Sequence, residues 1–235
     1  MPGWFGKKKS EPEKSEGGSV IHRYSAADWS SPKLGFAPKM AEFGKARDEV
    51  YLRRFGEAKQ VFHEILPLVP HIDVMEYYRE GADGTVCTLV TSGMSDLAMN
   101  VPKKADVPRR VELIFYCREP KPEYADTMRW LAHFPHDQKT WIGAFHTIPN
   151  GNPPVPLWGT SLLDTIFLLP SLVKKDQGLE NELILDGDGV EFLWVVPLTT
   201  AECKLKLAKG SDAILDLFQK NRHPHVFDPN RQSYV

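Results

Sequence analysis

The sequence has few cysteines, no long apolar run and almost no net charge, and each shortage excludes a class of protein. Three cysteines among 235 residues, none in a CxxC pair, argue against a disulfide scaffold and fit a reducing compartment, so we expect a cytoplasmic protein. The longest apolar runs, such as residues 166–169, are far shorter than the ~20 residues of a membrane-spanning helix. The 29 basic and 31 acidic side chains nearly balance, so we expect no nucleic-acid partner and no membrane attachment.

The short motifs of common enzymes are also missing. The sequence contains no GxSxG, GxGxxG or GxxxxGK(S/T) pattern, which excludes the usual nucleophile elbow and the common phosphate-binding loops. We therefore predict a protein without catalytic activity, cofactor or metal. Two alternatives stay open at this point. One is a hydrolase-like enzyme that uses His146 in a Gly/Asn-rich loop, and the other is a metal-binding domain built from His133, His136 and His146.

Composition divides the chain into a tail and one domain. Residues 1–20 are rich in lysine, glutamate, glycine and serine, and such a segment buries too little apolar surface to offset its ordering entropy. We predict a disordered tail over residues 1–20 and a single domain over residues 21–235. Within the domain, strands come in runs and do not alternate strictly with helices. This order predicts an α+β fold with a mixed, mainly antiparallel central sheet flanked by helices.

Periodicity and turn residues place the elements of that fold. Helical spacing predicts a helix over residues 48–62 and another from Pro122, which we expect Pro135 to stop. Apolar and β-branched runs predict strands over residues 72–77, 85–91, 111–117, 162–169 and 190–196. The last of these is apolar on both faces, which is typical of a strand at the centre of a sheet. Thr199 and Glu202 match a capping box at the start of the next helix.

The loop over residues 140–158 combines aromatic side chains with prolines. Trp141, Phe145, His146 and Asn150 lie within it, and three prolines stand between residues 153 and 156. Aromatic side chains on a restrained loop are a common means of recognition, although the same loop can pack back onto the sheet. Both interpretations stay open from the residues alone.

Several segments resemble one protein family in the same order. They are TLVTSGMSD at 88–96, RVEL at 110–113, WLA at 130–132, TWIG at 140–143, HTIPNG at 146–151, VPLT at 196–199 and DPNR at 228–231. In these segments the chain is similar to the suppressor of fused (SUFU) domain family, from about residue 45 to its end. The resemblance is to the bacterial single-domain form.

The resemblance implies a non-catalytic protein-binding module. Animal members bind a short segment of Gli transcription factors as an added strand, and several bacterial members are thought to be immunity proteins that neutralise toxins. We therefore expect a protein partner, either a toxin or an extended peptide, and a monomer or homodimer. The partner-binding residues are predicted to be Phe134, Trp141, Phe145, His146 and Asn150. The family pattern has an acidic residue where Phe145 and its neighbour Ala144 stand, so we expect a partner unlike a Gli segment.

Overall fold

A computed structural model describes residues 13–24, 33–81 and 84–235. Its helices are α1 (Met40–Phe55), α2 (Pro122–Asp137), α3 (Thr200–Lys209) and α4 (Asp212–Lys220). Its strands are β1 (Glu13–Lys14), β2 (Val20–Ile21), β3 (Gln60–Phe62), β4 (Asp73–Gly81), β5 (Gly84–Ser92), β6 (Arg110–Cys117), β7 (Thr147–Pro149), β8 (Leu163–Pro170), β9 (Ile184–Leu185) and β10 (Asp188–Thr199). Among the helices in these ranges, none has the length and apolar character to cross a bilayer.

Eight strands of the described residues form one sheet in the order β3-β4-β5-β6-β10-β8-β7, with β9 paired to the start of β10. Strand β10 runs parallel to β6, and the other neighbouring strands pair antiparallel. The predicted fold class is confirmed: helices flank a mixed, mainly antiparallel sheet.

Strand β10 lies at the centre of the sheet because both of its faces are apolar. Trp194 and Val196 point into one core layer, and Leu193 and Val195 point into the other. All four side chains are at most 2% exposed. Burying one large apolar side chain stabilises a fold by about 1.5–3 kcal/mol, so a strand that is buried on both faces is strongly held in the interior. The prediction of a central strand is confirmed.

The helices cover the two faces of the sheet. Helices α1 and α4 contribute Tyr51, Phe55 and Phe218 to one core layer. Helix α2 contributes Met128 and Leu131 to the other layer. Each layer is thus closed by the apolar face of one or more helices.

Two predicted helix boundaries are wrong. The first helix spans Met40–Phe55 rather than residues 48–62, because Gly56 takes a φ of +86° and ends it, and Phe62 belongs to β3. The second helix continues through Pro135 to Asp137. Only two residues of the helix follow Pro135, so the one hydrogen bond that its missing N–H removes lies in the last turn.

Part of the predicted tail forms a hairpin. Glu13–Lys14 pairs antiparallel with Val20–Ile21, and the chain turns between them. Residues 1–12 of the predicted disordered tail lie outside the described residues. Residues 13–20 form a hairpin where the sequence predicted disorder, and its contacts with the domain are described below.

Candidate partner-binding surface

Strand β7 is one edge of the sheet. It pairs with β8 on one side, and the strand order ends with it on the other. The amide of Asn150 donates to the carbonyl of Asp164 (2.8 Å), and that of Leu168 donates to the carbonyl of His146 (3.0 Å). Because antiparallel strands alternate inward and outward backbone groups, the N–H and C=O of Thr147 point away from β8. We call this outward side of β7 the partner edge.

Phe145 stands beside the partner edge in an unusual backbone conformation. Its φ is +68°, its amide donates to the carbonyl of Leu168 (2.7 Å), and its ring is 41% exposed. On its inner side the ring meets Phe167 at a centroid distance of 6.4 Å. A non-glycine residue with a positive φ is uncommon and is kept in place by its surroundings. The result is a large aromatic side chain presented to solvent next to the outward backbone groups of Thr147.

Trp141 and His146 form a second aromatic pair at this place. Their ring centroids are 4.4 Å apart. Gly143 lies between them in sequence, and a Cβ there would stand 3.1 Å from the Trp141 ring, so the loop packs closely over the indole. Burial, together with the nearby charges of Lys206 and His22, lowers the pKa of His146 to about 4. The imidazole is therefore neutral at pH 7.

The charged groups that act on His146 give no support to the hydrolase alternative. Within the described ranges, the groups that shift its pKa are Lys206 and His22, and no carboxylate is among them. A histidine that acts as a general base is normally oriented by an acidic partner, which also stabilises its protonated form. The arrangement at His146 instead resembles a packed aromatic contact.

Asn150 closes its own loop. Its side-chain amide donates to the backbone carbonyl of Val155 (2.8 Å). The backbone amide of Val155 in turn donates to the backbone carbonyl of Asn150 (2.8 Å). Asn150 thus holds the turn that follows β7, which positions the end of the partner edge.

Phe134 lies on α2 and faces the N-terminal hairpin. Its ring meets Tyr24 edge-on at 5.3 Å and Trp130 at 5.8 Å. The hydroxyl of Tyr24 donates to the Thr140 hydroxyl (2.8 Å), one residue before Trp141. The tertiary structure therefore brings Phe134 and the aromatic loop together through a segment that the sequence did not assign to the site. We call residues 13–24 the N-terminal strap.

Helix α3 adds two residues that sequence reasoning missed. Lys206 donates to the Ser19 hydroxyl (2.8 Å) and acts electrostatically on His146, and Cys203 interacts with the Thr147 side chain. The available signal was weak: residues 202, 203 and 206 share one face of a helix, which places a lysine among buried positions. No local pattern indicates that this face meets the aromatic loop.

The three histidines that the sequence offered for a metal site each contact a different partner. His133 bonds to the Glu64 carboxylate (2.5 Å), His136 to the carbonyl of Met94 (3.1 Å), and His146 packs on Trp141. Over residues 13–24, 33–81 and 84–235, no three His, Cys, Asp or Glu side chains are grouped so that they could hold a metal ion.

The segment TLVTSGMSD is part of a buried hydrogen-bond network. The buried carboxylate of Glu112 accepts from the Thr91 hydroxyl (2.6 Å), the Gly93 amide (3.0 Å), and the amide (3.0 Å) and hydroxyl (2.6 Å) of Ser95. Arg47 lies near it and pairs with Asp96. These residues join the β5 turn to β6, so this part of the sequence pattern belongs to folding and not to a binding surface.

Comparisons with known proteins agree with this architecture. The model of the family named Suppressor of fused protein (SUFU) matches residues 69–232. Among curated proteins, no sequence matches the chain. A SUFU homologue from Neisseria gonorrhoeae FA 1090 is similar in structure with a TM-score of 0.61 and 18% identity, over 83% of this chain and 98% of that chain.

Two further solved structures are similar. The Sufu–Fu complex aligns with a TM-score of 0.56 and 11% identity, over 84% of this chain and 93% of that chain. Drosophila Suppressor of Fused aligns with a TM-score of 0.55 and 10% identity, over 84% of this chain and 52% of that chain. At these identities the structures show a shared fold, whereas the family model covers well over half of the sequence. The chain therefore belongs to the suppressor of fused family.

Proposed function

We propose that this protein is a non-catalytic binding module that takes up an extended segment of a protein partner along the partner edge. The observation that supports it most is the outward side of β7, which pairs with no strand of the described residues and lies directly beside the exposed ring of Phe145. An edge strand offers a row of free N–H and C=O groups, which an added strand can satisfy. One of the similar solved structures is a Sufu–Fu complex.

Affinity and specificity would come from different parts of this surface. The backbone groups of Thr147 would bond to any extended segment, whatever its sequence. The Phe145 ring and the Trp141–His146 pair would select side chains that alternate along the added strand. Phe134 would contribute a further apolar contact at the far end. The acidic residue of the family pattern is replaced here, so this surface does not favour a basic segment.

Selection of peptides tests the proposal. A phage-displayed library of 12-residue random peptides is panned against the full chain, and enriched peptides are measured by calorimetry. We expect the double substitution Trp141→Ala with Phe145→Ala to weaken binding at least tenfold while the far-UV circular dichroism stays unchanged. Leu52→Ala is the control, because Leu52 is an exposed apolar side chain on α1, away from β7. Equal binding by the double variant and the parent would refute this site.

The immunity role is a narrower proposal within the same function. A toxin would then be the partner, and the complex would form in the cytoplasm, where the three unpaired and buried cysteines would stay reduced. The test is to express the product of the gene directly upstream in a heterologous host, with and without this chain. Growth that is restored by this chain would support toxin neutralisation. If growth is the same with and without this chain, the immunity role is wrong.

A further inference from the structure

We propose that the N-terminal strap is an internal ligand that covers the partner-binding surface, and that a partner segment bearing a carboxylate displaces it. This inference rests on the proposed function, since it concerns the regulation of the same surface. The strap contacts the domain at three places, and each lies beside a residue already assigned to the surface.

The turn of the strap is seated on the end of α3. The amide of Gly17 donates to the carbonyl of Leu207 (2.7 Å). A Cβ on Gly17 would overlap the backbone nitrogen of Gly210 and lie 2.9 Å from the carbonyl oxygens of Leu207 and Lys206. Backbone atoms cannot move aside as a flexible side chain can, so this close approach requires glycine. The seat is thus specific for the sequence of the strap.

The middle of the strap supplies the polar contact of a buried lysine. Lys206 is 5% exposed, and its ammonium donates to the Ser19 hydroxyl (2.8 Å). Within the described ranges, Lys206 forms no ion pair with any carboxylate. A buried charge without a counter-ion is costly, so a hydroxyl is a weaker partner for it than a carboxylate would be.

The far end of the strap lies against the aromatic side chains. Tyr24 packs edge-on against Phe134 and bonds to Thr140, while His22 is close enough to His146 to lower the pKa of that imidazole. The strap therefore runs from the end of α3, past His146, to α2. A partner segment that used His146 and Phe134 would have to take the same space.

The strap is held in a way that permits exchange. One backbone hydrogen bond, from Gly17 to Leu207, joins residues 13–24 to the rest of the described chain. Segments with few backbone bonds to the domain open at low free-energy cost. A strand added at the partner edge would bond to both outward backbone groups of Thr147, and an acidic side chain opposite Lys206 would replace the Ser19 hydroxyl with a counter-ion. Both differences favour the partner over the strap.

The test compares peptide binding to full-length variants with a loosened strap. Gly17→Val forces its side chain against the Gly210 backbone, and Tyr24→Ala removes the contacts with Phe134 and Thr140. We expect each variant to bind acidic library peptides about tenfold more tightly than the parent, because we propose that the parent is open only about a tenth of the time. Val20→Ala, at an exposed position of the strap, is the control and should bind like the parent.

Two results separate this inference from the proposed function. If neither the parent nor the variants enrich any peptide, the proposed function is wrong. If all bind the same peptides with equal affinity, the function stands and the strap inference is wrong. A second readout is hydrogen–deuterium exchange on the parent: bound peptide should speed exchange over residues 13–24 and slow it over residues 145–150. Continued protection of residues 13–24 in the complex would overturn the inference.

The role of Lys206 is tested with a matched pair of peptides. An acidic library peptide and its Asp-to-Asn counterpart are measured on the Tyr24→Ala variant with and without Lys206→Met. The lysine should favour the acidic peptide about tenfold, and Lys206→Met should abolish that preference. A preference that survives the substitution would assign the acidic contact elsewhere and refute this part of the inference.

Discussion

Arg231 holds the carboxylate of Glu202 through two hydrogen bonds, of 2.6 and 2.7 Å, in the interior of the domain. The same guanidinium donates to the carbonyl of Pro197 (3.0 Å), and the amide of Tyr234 donates to Glu202 (3.1 Å). Glu202 also completes the capping box, because the Thr199 amide donates to it (2.9 Å) while its own amide donates to the Thr199 hydroxyl (3.2 Å). One glutamate thus joins the start of α3 to the C-terminal segment.

Removing one partner of this pair should destabilise the domain strongly. Burial favours the neutral form of Glu202, but the hydrogen bonds and charge of Arg231 reverse this and lower the pKa of the carboxyl. Arg231→Met leaves a buried carboxylate unpaired, and we expect a loss of about 3–5 kcal/mol of unfolding free energy in urea. Arg53→Met is the control: Arg53 faces Glu182 at 3.7 Å on the surface, where an ion pair contributes less than about 1 kcal/mol. Equal losses for the two variants would contradict this account.

Gly93 should tolerate no side chain. Its φ is +124°, and a Cβ would overlap the carbonyl oxygen of His71. Its amide also bonds to Glu112 (3.0 Å), so the turn cannot shift without breaking the buried network. We expect Gly93→Ala to lower the unfolding free energy by more than about 3 kcal/mol, measured by thermal or urea unfolding.

The matched control for that variant lies in α1. Gly44 is inside the helix, and the nearest atom to a Cβ there is the end of the Arg47 side chain at 3.9 Å. Gly44→Ala should therefore raise stability by up to about 1 kcal/mol, since alanine favours the helix. A neutral Gly93→Ala would show that the turn can rearrange.

Buried neutral histidines should make the fold sensitive to mild acid. Burial, together with nearby His133 and Arg110, lowers the pKa of His136 to about 4, against the raising effect of its hydrogen bond to the Met94 carbonyl. Between pH 6.5 and 4 the unfolded chain takes up a proton on this histidine while the folded chain does not, so stability falls as the pH falls. A shift from 6.5 to about 4 corresponds to roughly 3 kcal/mol.

Urea unfolding at pH 8, 6 and 5 checks this prediction. His146 and His223, whose pKa values burial also lowers to about 4, contribute in the same direction. His136→Gln keeps a donor for Met94 but cannot take up the proton, so its loss of stability on acidification should be smaller than that of the parent. Parallel pH profiles for the two proteins would disprove the assignment to His136.

Local patterns predicted the sheet and its core well. The strand predicted over residues 111–117 is β6, and its alternate residues Val111, Leu113 and Phe115 lie in the same core layer. The capping box at Thr199 was found from four residues alone, because both of its hydrogen bonds are local. The errors have local causes too: Gly56 ended a helix earlier than periodicity suggested, and Pro135 lay near enough to a helix end to be tolerated.

The candidate surface was only half predictable. Phe145 and His146 stand in a distinctive loop, so the composition of that loop pointed to them. Lys206 and Tyr24 carried no such signal, because a lysine in a helix and a tyrosine in a polar segment are ordinary features of a sequence. Their place at the surface depends on pairings of residues that lie 187 positions apart for Lys206 and Ser19, and 116 apart for Tyr24 and Thr140.

The sequence by itself determined the α+β class, the central position of β10 and membership of the suppressor of fused family, because alternation, turn residues and ordered motifs are written along the chain. Tertiary structure alone decided that β7 ends the strand order of the described residues, and that the N-terminal strap packs against Phe134 and near His146. Strand order and strap docking arise from contacts between residues distant in the chain. Those contacts depend on shape and burial in three dimensions, which no local spacing of residues encodes.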